Sequence, residues 1–192
     1  MMDAENPWQL LSAETVYDNP WIRVEDHEVV NPSGNRSQYG KVFFKNRAVA
    51  ILTLDAEDRT CLVGQFRYTL DEYSWELPMG GAPIGEDPLE AARRELREET
   101  GFIAASWTRL LLLHTSNSVT DESGVVYLAQ GLGEGEPRPE ETEALTTLLM
   151  PFNEAVEWAL SGRITDAISV AGILSMAARR AGASSEFQGT RA

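Results

Sequence analysis

The stretch from Gly80 to Phe102 constrains this chain more than any other. It opens with Gly80-Gly81-Ala82-Pro83-Ile84-Gly85-Glu86 and closes with Arg94-Glu95-Leu96-Arg97-Glu98-Glu99-Thr100-Gly101-Phe102. Between them Asp87 is a good N-cap, Pro88 suits the first helical position, and Glu90 stands where a capping-box acid would. Gly101 is a good terminator. The spacing therefore predicts a helix over 88–100. Leu89, Ala92 and Leu96 recur at three- and four-residue intervals and give it a buried stripe. Glu95, Glu98 and Glu99 lie beside that stripe, with 95/98 and 95/99 sharing one face.

For a helix alone this placement is unfavourable. Three carboxylates crowd the last turn, where the helix dipole presents its negative end. A hard divalent cation reverses the sign of that term, because oxygen ligands at this density suit Mg²⁺. The plain alternative is a solvated helix laced by Glu90–Arg94 and Arg94–Glu98 pairs.

The glycine-rich turn decides between the two. The string G-x(5)-E-x(7)-R-E-Leu-x-E-E-x-G-Phe resembles the Nudix hydrolase box at every defining position. That resemblance implies Glu95, Glu98 and Glu99 as carboxylate ligands of Mg²⁺ or Mn²⁺, one to three ions in all, with Glu98 also counted among the catalytic residues. It implies the backbone carbonyl of Met79 as a further ligand. Gly80, Glu86 and Arg94 are then supports, Arg94 orienting a carboxylate and Glu86 acting as an outer partner.

Composition narrows the partners. The chain has 192 residues, enough for one sizeable domain, and a net charge of −14. So anionic a molecule is poorly suited to nucleic acid or anionic membranes. A phosphorylated substrate would need metal and placed arginines to overcome the same repulsion. No apolar run is long enough to span a bilayer, and Met1 to Gln9 do not read as a secretory signal. Cys61, the single cysteine, cannot form an internal disulfide and reads as a buried strand residue. A cytoplasmic setting is expected.

Residues 1–20 read as polar and irregular, with Pro7 and Pro20 as breakers. Residues 22–30 and 37–45, joined by the turn Asn31-Pro32-Ser33-Gly34-Asn35, predict an N-terminal hairpin. His27 reads as a surface strand residue. Residues 48–54 and 60–66 are apolar strands around a charged turn, Asp55 to Arg59. Strands are also predicted over 107–114, 124–130 and 145–150. A helix should follow Pro151 over 152–160, and a last one, capped by Asp166, over 167–180.

Gln65-Phe66-Arg67 and Trp75-Glu76-Leu77-Pro78-Met79-Gly80 resemble segments of one Nudix branch, the ADP-ribose and nucleoside-diphosphate-sugar pyrophosphatases. Arg67 is either a bidentate phosphate contact or an edge-strand charge. Glu76 is either a strand-end group or part of the site. By its place in the loop 115–122, Glu122 matches an acid near the metals of relatives. That loop departs from the branch, with Ser116-Asn117-Ser118 where many members carry Ser-Pro-Gly. The acidic run 131–143 is a solvated linker by composition. By position it matches the family's catalytic loop, which makes Glu141 and Glu143 candidates for general base and supporting ligand, with Glu140 as an alternative register.

The resemblance implies an α/β fold: a Nudix-type α/β/α sandwich around a mixed sheet, with the hairpin as an extension. Residues 1–45 are expected to form that extension and to act as a dimerisation arm, with 46–182 the hydrolase domain and 183–192 a flexible tail. The implied activity is Mg²⁺-dependent hydrolysis of a nucleoside diphosphate sugar, ADP-ribose first, with GDP-mannose or another nucleotide sugar as the alternative. A non-catalytic nucleotide-sugar sensor is the alternative from another class. Relatives in this branch are commonly homodimers with exchanged N-terminal strands. Trp8, Trp21 or Tyr39 would then be placed to stack on a base, with local packing the plainer reading for Trp8.

Overall fold

Strand β4 (Asn46–Leu54) is buried at every position from Val49 to Leu54, as a strand covered on both faces must be. The computed structural model describes residues 5–135 and 145–182. Within them β4 pairs antiparallel with β7 (Met79–Pro83) and parallel with β9 (Ser123–Glu134). Strand β8 (Phe102–His114) pairs antiparallel with β9, so the sheet β7-β4-β9-β8 is mixed. Strands β5 (Arg59–Arg67), β6 (Glu72–Glu76) and β10 (Thr146–Pro151) form a second sheet in the order β10-β5-β6.

Alternate residues of β4 serve two cores. Val49 and Ile51 pack with Ala91, Ala92 and Leu96 of α1 (Pro88–Thr100). Ala50, Leu52 and Leu54 face Phe152 of α2 (Phe152–Ser161) and Ile168 and Ile173 of α3 (Ala167–Arg180). This is the expected α/β/α arrangement, and it explains how α1 tolerates its acidic end. Full burial of Leu96 is worth about 2 kcal/mol, against a few tenths for each like-charge pair.

The helix boundaries follow the caps. Asp87 accepts from the Leu89 and Glu90 N–H groups at 2.7 and 3.4 Å, and Gly101 ends α1 in the left-handed region at φ 72°. Glu90 does not close a capping box; its carboxylate accepts from Arg93 at 2.8 Å. Asp166 caps α3 by accepting from Ser169 N–H at 2.7 Å.

The expected N-terminal hairpin is present as β2 (Ile22–Val30) and β3 (Arg36–Phe44), in register from Ile22↔Phe44 to Val30↔Arg36. Residues 9–18 correct the sequence reading. They are not irregular but form β1 (Gln9–Asp18), antiparallel to β2. No residue of β1 is buried, and register shifts fall between Leu10 and Ser12 and between Thr15 and Tyr17. A strand with neither face covered and its alternation broken twice carries no period-two signal. His27 is also more enclosed than expected, with its side chain 13% exposed and Nε2 2.9 Å from Glu25. Among the described residues no helix is long and apolar enough to cross a membrane.

Candidate active site

The acidic end of α1 lies directly on the backbone of β7. A Cβ added to Gly80 would stand 2.1 Å from Glu95 Cδ, so only glycine leaves room for that carboxylate. Arg94 knots the cluster together. Its Nη1 donates to Glu95 Oε1 at 2.7 Å and Glu98 Oε2 at 3.1 Å; its Nη2 donates to the Gly81 carbonyl at 3.0 Å and Glu86 Oε2 at 3.3 Å. Burial works against the guanidinium's charge, but the bonds to Glu86, Glu95 and Glu98 outweigh it and hold the group above the ordinary arginine range. Of the two ion pairs read from the sequence, Arg94–Glu98 is present, while Glu90 pairs with Arg93.

Glu99 completes the set one turn on. Its Oε2 accepts from the Met79 N–H at 2.9 Å, joining the end of α1 to the start of β7. One guanidinium thus serves three carboxylates, and Glu99 adds a fourth nearby. The candidate donors from the sequence, the carboxylates of Glu95, Glu98 and Glu99 and the carbonyl of Met79, are all oxygen. Hard oxygen donors with an excess of negative charge fit Mg²⁺ or Mn²⁺. Arg94 draws Glu95 and Glu98 to itself, and among the described residues no three acidic, histidine or cysteine side chains are arranged to hold a metal ion as they stand.

Arg67 and Glu76, two separate candidates in the sequence, form a single unit. Arg67 Nε donates to Glu76 Oε1 at 2.9 Å and its Nη2 to Oε2, a bidentate pair. Glu76 is only 3% exposed, so the guanidinium offsets a carboxylate almost wholly removed from water. The Glu76 bonds, and beyond them the charges of Asp166 and Glu99, raise the Arg67 pKa. Arg67 therefore stands within the field of Glu99. It is not an isolated edge charge.

Cys61 is 1% exposed on β5. Burial, with a further contribution from the Glu99 charge, pushes its thiol up to about 12. A thiol held neutral is a packing group and not a nucleophile. Glu122 is held within its own loop, where its carboxylate accepts from the Thr115 hydroxyl. The N-terminal sheet grips this loop. Val42 N–H donates to the Val119 carbonyl at 2.9 Å, Phe44 N–H to Asp121 Oδ1 at 2.9 Å, and the Tyr39 hydroxyl to the Ser118 carbonyl. Trp8 packs edge-on against Tyr39 with ring centroids 5.4 Å apart, the local packing expected of it. Glu140, Glu141 and Glu143 lie outside the described residues.

One residue of this region left no trace in the sequence reading. Ser169 is fully buried, and its hydroxyl oxygen accepts from the Leu77 N–H at 2.9 Å, beside Glu76 and two residues before Met79. The available signal was a lone hydroxyl on the apolar side of α3, which a single sequence cannot separate from ordinary packing.

The chain is similar to known proteins along most of its length. The NUDIX domain model matches residues 44–168, and the model of the nucleoside diphosphate sugar hydrolase N-terminal domain matches residues 8–42. An ADP-ribose pyrophosphatase of Mycobacterium tuberculosis is 36% identical over 90% of this chain and 84% of its own length. A CMP-5'-(N-acetyl-N-hydroxy-3-aminopropyl)phosphonate hydrolase of Streptomyces rubellomurinus is 30% identical over 88% of this chain and 82% of its own. The crystal structure of an ADP compounds hydrolase superposes with a TM-score of 0.82 over 94% of this chain and 99% of that one. At 23% identity it speaks for the fold alone.

Proposed function

The chain belongs to the Nudix family, and from that premise we infer that it is a hydrolase of nucleoside diphosphate sugars, with ADP-ribose the first candidate substrate. Water adds across the P–O–P bridge, and the products are a nucleoside monophosphate and a sugar phosphate. The observation that carries this reading is the knot of Glu86, Glu95 and Glu98 on Arg94, with Glu99 beside it, laid against the glycine strand β7.

A divalent cation, Mg²⁺ or Mn²⁺, supplies charge neutralisation along the diphosphate and acidification of water. Glu95, Glu98, Glu99 and the Met79 carbonyl hold one to three such ions. Arg94 keeps Glu95 and Glu98 in place, with Glu86 as its outer partner. Arg67, backed by Glu76, takes a phosphate oxygen through its fork. Glu141 or Glu143 receives the proton from water. Glu122, on the loop gripped by β3, faces the substrate. The similarity to the ADP-ribose pyrophosphatase supports ADP-ribose as first choice. GDP-mannose or another nucleotide sugar is the alternative, and the similarity to a hydrolase of a CMP compound supports a base other than adenine.

Residues 1–45 act as a dimerisation arm on a 46–182 hydrolase domain, followed by a tail at 183–192. Supporting this, β1 leaves Leu10, Leu11, Val16 and Tyr17 exposed along an edge strand, and Trp21 is 67% exposed just beyond it. A second copy covers them by exchange of these strands. The setting is cytoplasmic. The test is a panel of nucleotide sugars with Mg²⁺ and with Mn²⁺, products identified by mass. ADP-ribose should yield AMP and ribose phosphate; release of free phosphate, or no reaction across the panel, would overturn the assignment.

A further inference from the structure

The link between β6 and β7 is short and carries much of the candidate site. Glu76 ends β6, Leu77 and Pro78 follow, and Met79 opens β7. Pro78 has no N–H, so the backbone donors of the link are those of Leu77 and Met79. The Met79 N–H goes to Glu99 and the Leu77 N–H to Ser169 Oγ, both at 2.9 Å. The Pro78 carbonyl accepts from Ile51 N–H at 2.8 Å. Three partners on α1, α3 and β4 therefore fix this link.

The partner on α3 is built to stay in place. Asp166 caps that helix through the Ser169 N–H, so the cap fixes the residue that holds Leu77. One turn later Gly172 lets α3 lie flush on the same residue. A Cβ there would meet Leu77 Cδ1 at 3.1 Å and Val126 Cγ1 at 3.0 Å. Leu77 is fully buried, so its N–H has no water to fall back on.

We propose that Ser169 is a positioning residue for the metal and diphosphate site: its hydroxyl sets the Leu77–Met79 link, and through it the Glu99 carboxylate and the Arg67–Glu76 pair. Ser169 touches neither substrate nor metal. It bonds the backbone two residues before Met79, one step behind the partners of ligating groups, whose loss costs about tenfold or more in metal affinity. This inference rests on the metal site proposed above, and Ser169 lies just beyond the region matched by the family model.

The test is Mn²⁺ binding by electron paramagnetic resonance, without substrate, on the full chain. Ser169→Ala is compared with Val29→Ala, a change at a buried position of β2 that lies in neither of the two cores and lowers stability away from the link. Ser169→Ala should weaken Mn²⁺ about tenfold and raise the Mg²⁺ concentration needed for half-maximal turnover. Val29→Ala should lower the melting temperature and leave both unchanged. Should Ser169→Ala fail to fold, Ser169→Cys, with its weaker acceptor, should fall between wild type and that expectation. Equal Mn²⁺ affinity in wild type and the Ser169 variants would overturn the positioning role alone. A wild-type chain that binds no Mn²⁺ would overturn the metal site and this inference with it.

Discussion

The Met79 N–H donates to Glu99 Oε2 at 2.9 Å, so the first residue of β7 and the last turn of α1 are fastened to each other. An amide oxygen at position 99 could still accept that bond. Glu99→Gln should therefore fold with a stability change within about 1 kcal/mol. As a poorer cation ligand it should lose about 100-fold or more in kcat. Thermal melts beside Mg²⁺-dependent kinetics check this; near-native turnover would remove Glu99 from the ligand set.

Gly80 offers a finer probe. The atoms a new Cβ would meet belong to the far end of the Glu95 side chain, 2.1 to 2.4 Å away. The side chain can swing aside while the backbone stays. Gly80→Ala should thus hold or slightly raise stability by restricting the unfolded chain. Activity should fall because Glu95 is displaced from β7. A melting temperature that dropped together with activity would instead point to a backbone shift.

Arg67 and Glu76 let binding be separated from folding. Arg67→Ala strands a carboxylate that is 3% exposed, and the cost should be about 3 kcal/mol or more together with a raised KM. The double change Arg67→Met with Glu76→Gln removes both charges and should regain much of that stability. KM should stay high if the guanidinium contacts phosphate. Recovery of KM along with stability would reduce the pair to a structural role.

Cys61 gives the pH-dependent prediction. Its folded thiol is pushed up to about 12, whereas an unfolded cysteine ionises near the ordinary value of 9.0. Its stabilising contribution is present in full below pH 9 and declines as pH rises from there toward 12. Iodoacetamide at pH 8.5 should leave the native thiol unmodified and label it rapidly in denaturant, and Cys61→Ala should stay active. Rapid labelling of the native protein would contradict the burial.

Much of this was legible in advance because it is written in local chemistry. Asp87, Pro88 and Gly101 delimit α1 by capping alone, and Asp166 does the same for α3. The box glutamates could be read because their fixed spacing places them on one helical face. What could not be read depends on contacts between distant parts of the chain. Strand β1 is exposed along its length and twice shifted in register, so it lacks an alternating pattern. The register of β5 on β6 sets Arg67 opposite Glu72 and Glu76 opposite Val63, so the Arg67–Glu76 pair is a reach along the strands that no single strand reveals. Ser169 meets Leu77 across 92 residues, and only the docking of α3 makes that bond.

The arm makes a separate prediction. Light scattering should give twice the 21.2 kDa mass of one chain, and Leu10→Asp with Val16→Asp on β1 should shift it toward monomer. A wild-type monomer at micromolar concentration would remove the exchange of strands and leave the catalytic assignments intact.

The central claim is that the acidic end of α1 holds divalent cations. Its most direct test is anomalous diffraction at the manganese edge from crystals grown with Mn²⁺ and a non-hydrolysable ADP-ribose analogue. The expected result is manganese against the Glu95, Glu98 and Glu99 carboxylates, with the diphosphate beside it and Arg67 reaching a phosphate oxygen. No manganese there, with Glu95 and Glu98 still held by Arg94 and the analogue bound elsewhere, would contradict it.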